Sequence, residues 1–174
     1  MAAAGQEIAA RMAAVDDRLV PEMARGADGG NRLIISGDGI REAAPAVRRL
    51  AAAAPHIPGW SVIAFRQPAP LSADTSLALG AVELGVGDIW VLPSRAGGRR
   101  GNLIDLIVAL PATRETERET AKHIAFLLLD HSIGERTMVE QIGFIDFITV
   151  PPNPARRGMA RLDRLPEQLT ALIT

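Results

Sequence analysis

The stretch that decides the fold is residues 113–134, which read TRETERETAKHIAFLLLDHSIG. This pattern predicts a single helix that begins at the start of the stretch, with Thr116 and Glu119 as a capping box and Gly134 as the C-cap. The central residues Ile124–Leu129 are apolar on every side of such a helix. A helix that is apolar all round is covered on both sides, so we expect it to be sandwiched in the core.

The predicted helix carries two apolar stripes. The stripe that we expect to face a sheet consists of Ala121, Ile124, Ala125 and Leu128. The second stripe consists of Phe126, Leu129 and Ile133, and it needs a partner of its own. We predict that this partner is either the N-terminal helix or a second copy of the chain, which makes these three residues candidate binding residues.

Hydrophobic periodicity in the rest of the chain predicts both helices and strands. Further helices are predicted at about residues 3–20, before residue 54, and at 166–172. Strands are predicted at 32–36, 60–67, 76–82, 88–92, 102–110 and 141–150. Because helices and strands are partly segregated along the chain, the order favours the α+β class.

The arrangement that we expect is a mixed, mainly antiparallel sheet with helices packed on one face, a two-layer sandwich. Residues 1–30 are predicted to form an N-terminal helix and linker, and residues 31–174 a single α+β domain. The sequence shows no internal repeat.

Composition excludes several classes of function. The chain has 174 residues, of which 48% are hydrophobic, so it can bury a core without disulfides or metals. It has no cysteine, which excludes thiol catalysis and thiolate metal sites. The formal charge of −1 provides no basic field for nucleic acid. No apolar run approaches the ~18–20 residues of a membrane span, and the N-terminus lacks signal-peptide features, so we expect a cytoplasmic protein without membrane contact.

Histidine and carboxylate motifs in the sequence favour structural roles. Asp130 and His131 are adjacent in the predicted helix and cannot face each other, so we expect a partly buried histidine rather than a catalytic pair with Glu135. Gly37-Asp38-Gly39 is interpreted as a turn with an N-cap. The three histidines of the chain are not spaced as zinc ligands. We therefore predict no metal and no cofactor.

A candidate site lies on the predicted sheet face. Asp105 alternates with apolar residues of one strand, Asp146 alternates with Ile142, Phe144 and Ile148 of another, and Arg66 ends a third. If these strands are neighbours, two carboxylates and a guanidinium converge, which would suit acid–base chemistry in a small hydrolase or a small-molecule binder. The alternative interpretation is a cross-strand ion pair on a solvated face.

Arginine-rich loops offer a further candidate. Arg95, Arg99 and Arg100 lie in the loop 94–101, and arginines in such loops can bind phosphate. An RNA-associated regulator is therefore the third hypothesis for function. Only 3% of the residues are aromatic, and none is tyrosine, so few side chains could stack on bases. This favours a solubilising loop, and we do not expect nucleic acid as a partner.

Several segments together resemble a family of uncharacterised bacterial proteins. They are LIISGDG at 33–39, PAV at 45–47, APHIPGWSVIAFR at 54–66, DIW at 88–90, LIDL at 103–106, FLLLDHSIGE at 126–135, IGFI at 142–145 and the ending at 162–169. The resemblance implies a single small α+β domain, sometimes carried beside other modules. It implies no activity and no catalytic residues.

The leading hypothesis is a non-enzymatic protein-interaction or regulatory module. It would present the sheet face, or the second stripe of the long helix, to a protein partner or to itself. The reason is that no motif in the sequence brings a nucleophile, a base and an orienting group together.

Overall fold

A computed structural model describes residues 2–26, 29–97 and 103–173 of the chain. These residues contain five α-helices and nine strands, and the strands form three sheets. This confirms the α+β class. The chain divides into two compact units, residues 1–67 and residues 68–174, and we describe each unit by itself. Within the described part of the chain, no helix is both long and apolar enough to cross a membrane.

The first unit is a three-stranded sheet with two helices on one face. Its elements are α1 (Ala2–Ala13), β1 (Val20–Arg25), β2 (Asn31–Ser36), α2 (Ala44–Ala52) and β3 (Trp60–Ala64). The central strand β2 pairs antiparallel with β1 and parallel with β3. Helix α1 packs on β1, and α2 packs on β2 and β3.

Helix α1 is shorter than the predicted N-terminal helix, and β1 forms almost entirely in the segment predicted as the linker after it. Helix α1 ends at Ala13, and Asp16 then accepts hydrogen bonds from the backbone and side chain of Arg18, which turns the chain. Pro21 is tolerated because β1 is an edge strand. The predicted division at residue 30 differs from the observed units, since β1 precedes that residue and pairs with β2 after it.

The second unit combines a two-stranded and a four-stranded sheet. Its elements are β4 (Ser76–Leu79), β5 (Val82–Gly85), β6 (Trp90–Arg95), β7 (Ile104–Leu110), α3 (Glu115–Ile133), α4 (Glu135–Gln141), β8 (Ile142–Thr149), β9 (Ala160–Arg161) and α5 (Leu165–Ile173). The strands β4 and β5 form a hairpin, and the larger sheet has the order β8-β7-β6-β9. Only β7 and β8 are parallel among the pairs of this unit that the structure describes. The sequence analysis predicted a single sheet, whereas the structure has three.

Helix α3 is covered within its own unit. It packs against the β4–β5 hairpin, α4, α5 and β7. Leu129 and Ile133 are buried, and the half-buried Phe126 packs against the same core cluster. These three residues belong to the core, which differs from the expectation that they form a binding surface. Neither the N-terminal helix nor a second copy is needed to cover them.

The two ends of α3 differ in how well the sequence predicts them. Gly134 has a φ of 78° and ends the helix, as predicted. At the other end, Arg114 is the N-cap residue and makes no side-chain cap hydrogen bond. Thr116 therefore lies inside the helix, and the predicted capping box is wrong. Helix α4, which begins directly after Gly134, was not among the predicted elements.

The two units repeat one order of connection. In each, an antiparallel pair of strands is followed by helix and then by a third strand parallel to the second: β1-β2-α2-β3 and β6-β7-α3-α4-β8. The sequence gives no sign of this repeat, because the shared feature is topology rather than residue identity.

A β-bulge at Gly143 sets which residues of β8 face the core. Ile104 pairs with Ile142, but the next residue, Asp105, pairs with Phe144, so Gly143 has no partner residue. A Cβ at Gly143 would lie 2.8 Å from Oδ1 of Asp105 and 3.1 Å from Cβ of Leu103, so a larger residue requires the Asp105 side chain or β8 to shift. Ile142 lies in the core, on the side of the sheet opposite to Phe144, contrary to the simple alternation assumed from the sequence.

We predict that Gly143→Ala destabilises the second unit. The added methyl displaces the Asp105 carboxylate or shifts β8, so the free energy of unfolding should fall by about 1–3 kcal/mol. The measurement is urea unfolding followed by Trp90 fluorescence in a Trp60→Phe background. Gly97→Ala is the control, because a Cβ there meets nothing within 4 Å. Equal stability of the two variants would contradict the role given to the bulge.

Candidate interaction surface

The four-stranded sheet of the second unit has one face that its helices do not cover, which we call the outer face. Alternation assigns residues to it, because Val91, Leu106 and Val108 are buried in the core on the opposite side. The outer face consists of Arg161 on β9, Trp90, Leu92 and Ser94 on β6, Asp105, Ile107 and Ala109 on β7, and Phe144, Asp146 and Ile148 on β8.

Large apolar side chains on the outer face are incompletely buried. Phe144 is 56% exposed. Leu92, Ile107 and Ile148 are half-buried. A contiguous set of exposed apolar side chains on a sheet is a mark of an interaction surface, whereas single exposed apolar residues are ordinary.

Two charged side chains lie at opposite edges of the outer face. The Arg161 guanidinium lies 4.0 Å from the centroid of the Trp90 ring and donates a hydrogen bond to the carbonyl of Gly87. These contacts fix the cation in place on β9. Asp146 is exposed on β8. Neither Arg161 nor Asp146 forms an ion pair with any residue that the structure describes.

The structure brings together only two of the three sheet-face candidates. Asp105 and Asp146 lie on adjacent strands and on the same face, with Asp105 opposite Phe144 and Asp146 opposite Ile107. Oδ1 of Asp105 is held against the backbone of Gly143, which gives this carboxylate a structural position at the bulge.

Arg66 follows β3, in the sheet of the first unit, so it is not on a strand beside β7 or β8. Its guanidinium lies 3.0 Å from Oε1 of Glu22 and 3.1 Å from Oδ1 of Asp38. Phe65 has a φ of 65°, which breaks the alternation of β3 just before Arg66. The condition of neighbouring strands that the predicted three-residue cluster required is therefore not met.

The arginines of the loop 94–101 are only partly described. Arg95 ends β6 and donates a hydrogen bond to the carbonyl of Leu172 in the last turn of α5. A cation at this position compensates the partial negative charge of a helix C-terminus, so Arg95 stabilises the fold. Arg99 and Arg100 lie outside the described residues.

Near the C-terminus of α3, burial is the reverse of what the sequence suggested. Asp130 and Glu135 are buried and His131 is exposed. The predicted partly buried histidine is thus wrong. Asp130 faces inward and His131 faces outward. The two side chains are therefore separated, as expected for adjacent residues of a helix.

The first unit contains an apolar groove between its helices. It has a volume of about 360 Å³ and lies over Leu33, Ile35 and Val62 of the sheet. Ile8, Met12 and Val15, which follow one another at helical spacing in the sequence, line one side of it. The spacing of these residues predicts an apolar side of α1, but not that this side borders a groove.

One carboxyl group in the first unit has a clearly shifted pKa. The side chain and backbone N–H of Arg18 donate hydrogen bonds to Asp16 and lower the pKa of its carboxyl to about 2. Hydrogen bonds to the ionised form favour it, so Asp16 stays charged and holds the turn after α1.

Comparison with protein-family models, with curated proteins and with solved structures finds no match to this chain. The geometry of the outer face is therefore the basis on which a function can be proposed.

We predict that Asp16→Asn removes part of the acid sensitivity of the fold. Because the folded pKa is about 2 against 3.8 for the ordinary group, the stabilisation by Asp16 is complete above pH ~5 and is lost as the pH falls toward 2. The difference in unfolding free energy between wild type and variant should therefore shrink between pH 5 and pH 2. Urea titrations at several pH values measure it. Asp17→Asn, at the adjacent exposed carboxyl, is the control and should keep the wild-type pH dependence. If the difference in unfolding free energy between wild type and Asp16→Asn did not change with pH, the lowered pKa of Asp16 would be contradicted.

Proposed function

We propose that this chain is a non-enzymatic protein-interaction module that binds a protein surface with its outer face. The observation that carries the proposal is the 56% exposure of Phe144, on the same face of the sheet as the half-buried Leu92, Ile107 and Ile148. Burying apolar surface contributes roughly 25 cal/mol per Å², so covering these side chains favours association.

The shape of the face favours a macromolecular partner over a small ligand. A cavity at the ends of β7 and β8, lined by Leu110 and Phe147 as well as Ile148, has a volume of about 100 Å³. Pockets for small molecules have volumes of about 300–1,000 Å³. A sheet face instead offers rows of side chains that a second protein surface can pack against.

The arrangement of charged groups gives less support to a hydrolase. Asp105 is engaged at the bulge, and Arg66 pairs with Glu22 and Asp38. Among the described residues of the outer face, Ser94 is the one hydroxyl group, and there is no histidine to act as its base. For RNA binding, Arg95 is already engaged at the end of α5.

The proposal predicts that Phe144→Asp abolishes partner binding. Tagged wild type and variant are used as baits in lysate of the source cells, with nuclease and at two salt concentrations, and captured proteins are quantified by mass spectrometry. The variant replaces an exposed apolar side chain of the outer face with a carboxylate that the contact would have to bury, so capture of the specific partner should fall by at least tenfold.

Leu79→Asp is the matched control, because Leu79 is 48% exposed on β4, away from the outer face. This variant should capture the same proteins as wild type. Identical capture by Phe144→Asp and wild type would overturn the proposal, as would equal losses in both variants.

A further inference from the structure

The outer face has a self-complementary order of chemistry. From one edge to the other, its strands present a cation, two apolar side chains and an anion: Arg161 on β9, Leu92 on β6, Ile107 on β7 and Asp146 on β8. Reversing this order and placing it on the original puts the strand of each charge over the strand of the opposite charge. It also puts β6 over β7, so that Leu92 faces Ile107 and Asp105 faces Ser94.

We propose that the protein surface bound by the outer face is the outer face of a second copy of this chain. This inference rests on the proposed function and names its partner. A two-fold axis parallel to the strands, between β6 and β7, reverses the strand order and places β8 of one copy over β9 of the other. The interface is then isologous, as in most symmetric dimers.

Distances across the sheet favour pairing between copies over pairing within one. The strands β8 and β9 are three spacings apart, about 14 Å, which exceeds the reach of one arginine side chain. Asp146 is displaced from the row of Arg161 by two residues, roughly 7 Å along the strand. The Arg161 guanidinium lies over the Trp90 ring, so reaching Asp146 of a second copy requires the side chain to swing away from that ring and span this displacement. The two sheets would pack about 10 Å apart and cross at about 30°.

The same charges determine the orientation of the second copy. A two-fold axis across the strands would place β8 over β8 and β9 over β9, so that Arg161 and Asp146 stay at opposite edges and no opposite charges meet. This arrangement lacks the electrostatic complementarity of the other and is disfavoured. The axis parallel to the strands brings Arg161 to Asp146 twice.

The size of the face predicts a weak dimer. Strands β6, β7 and β8, with 6, 7 and 8 residues, cover roughly 14 Å by 24 Å, and the two-residue β9 adds little, so the face is about 400 Å² on each copy. A standard stable interface covers about 800 Å² on each partner. The dimer therefore belongs to the transient class and should dissociate on dilution.

The test is sedimentation equilibrium of the full chain from about 5 to 500 µM, the range in which a small interface dissociates. The weight-average mass of wild type should rise from 18.5 kDa toward twice that value. Arg161→Glu and Asp146→Arg should each remain monomeric, because each places like charges together. An equimolar mixture of the two variants should associate at least as strongly as wild type, since both cross-copy pairs are then of opposite charge.

Two further variants control for the charge changes themselves. Arg118→Glu on α3 and Asp74→Arg before β4 make the same changes at exposed positions outside the outer face, and they should associate like wild type. Circular dichroism checks that every variant is folded. Since Arg161→Glu also loses the contact with Trp90, association of the mixture shows that this variant keeps a functional face.

The second-copy inference and the proposed function fail in different ways. A wild type that stays monomeric throughout the range, or a mixture that does not associate, overturns the inference. If Phe144-dependent capture of another protein persists in that case, the interaction module stands with a different partner. If the capture is lost as well, both are overturned.

Discussion

The parallel pairing of β7 with β8 depends on one glycine, and the outer face depends on that pairing. At Gly143 the chain takes one extra residue, with Oδ1 of Asp105 in the space that a Cβ would need. The bulge lets Ile142 enter the core while Phe144, Asp146 and Ile148 turn away from it. Without the bulge, strict alternation would place Phe144 and Ile142 on the same side of the sheet.

Helix α3 explains why only one face of this sheet is free. Its apolar centre is covered on several sides by β7, the β4–β5 hairpin, α4 and α5. Helices α4 and α5 connect or follow strands of the same sheet. Together with the strands they cover the apolar surface of α3. The face opposite to them keeps half-buried apolar side chains between a fixed cation on β9 and an exposed anion on β8. Such a surface suits association with another surface that has the reverse order of charges.

Local signals in the sequence were sufficient for the class and for several elements. The periodicity around Ile124 and the glycine at 134 predict α3 and its end, and Pro166 marks the start of α5. Features that depend on distant residues could not be predicted: β1 forms because β2 lies beside it, and the bulge forms because Asp105 lies opposite. The role of Arg161 depends on a two-residue strand, which leaves no periodic pattern to recognise. Arg66 was misplaced because β3 belongs to the sheet of the first unit, and no local pattern in the sequence shows which sheet a strand joins.

The central claim is that the outer face is covered when the protein associates. Hydroxyl-radical footprinting at low and high protein concentration tests it most directly, with oxidation read at Phe144 and at Leu79, which are both about half exposed. The account predicts that oxidation of Phe144 falls several-fold as concentration rises through the range of a weak dimer, while oxidation of Leu79 stays constant. Equal oxidation of Phe144 at all concentrations, with Leu79 protected instead, would contradict it and would move the interface to the β4–β5 hairpin.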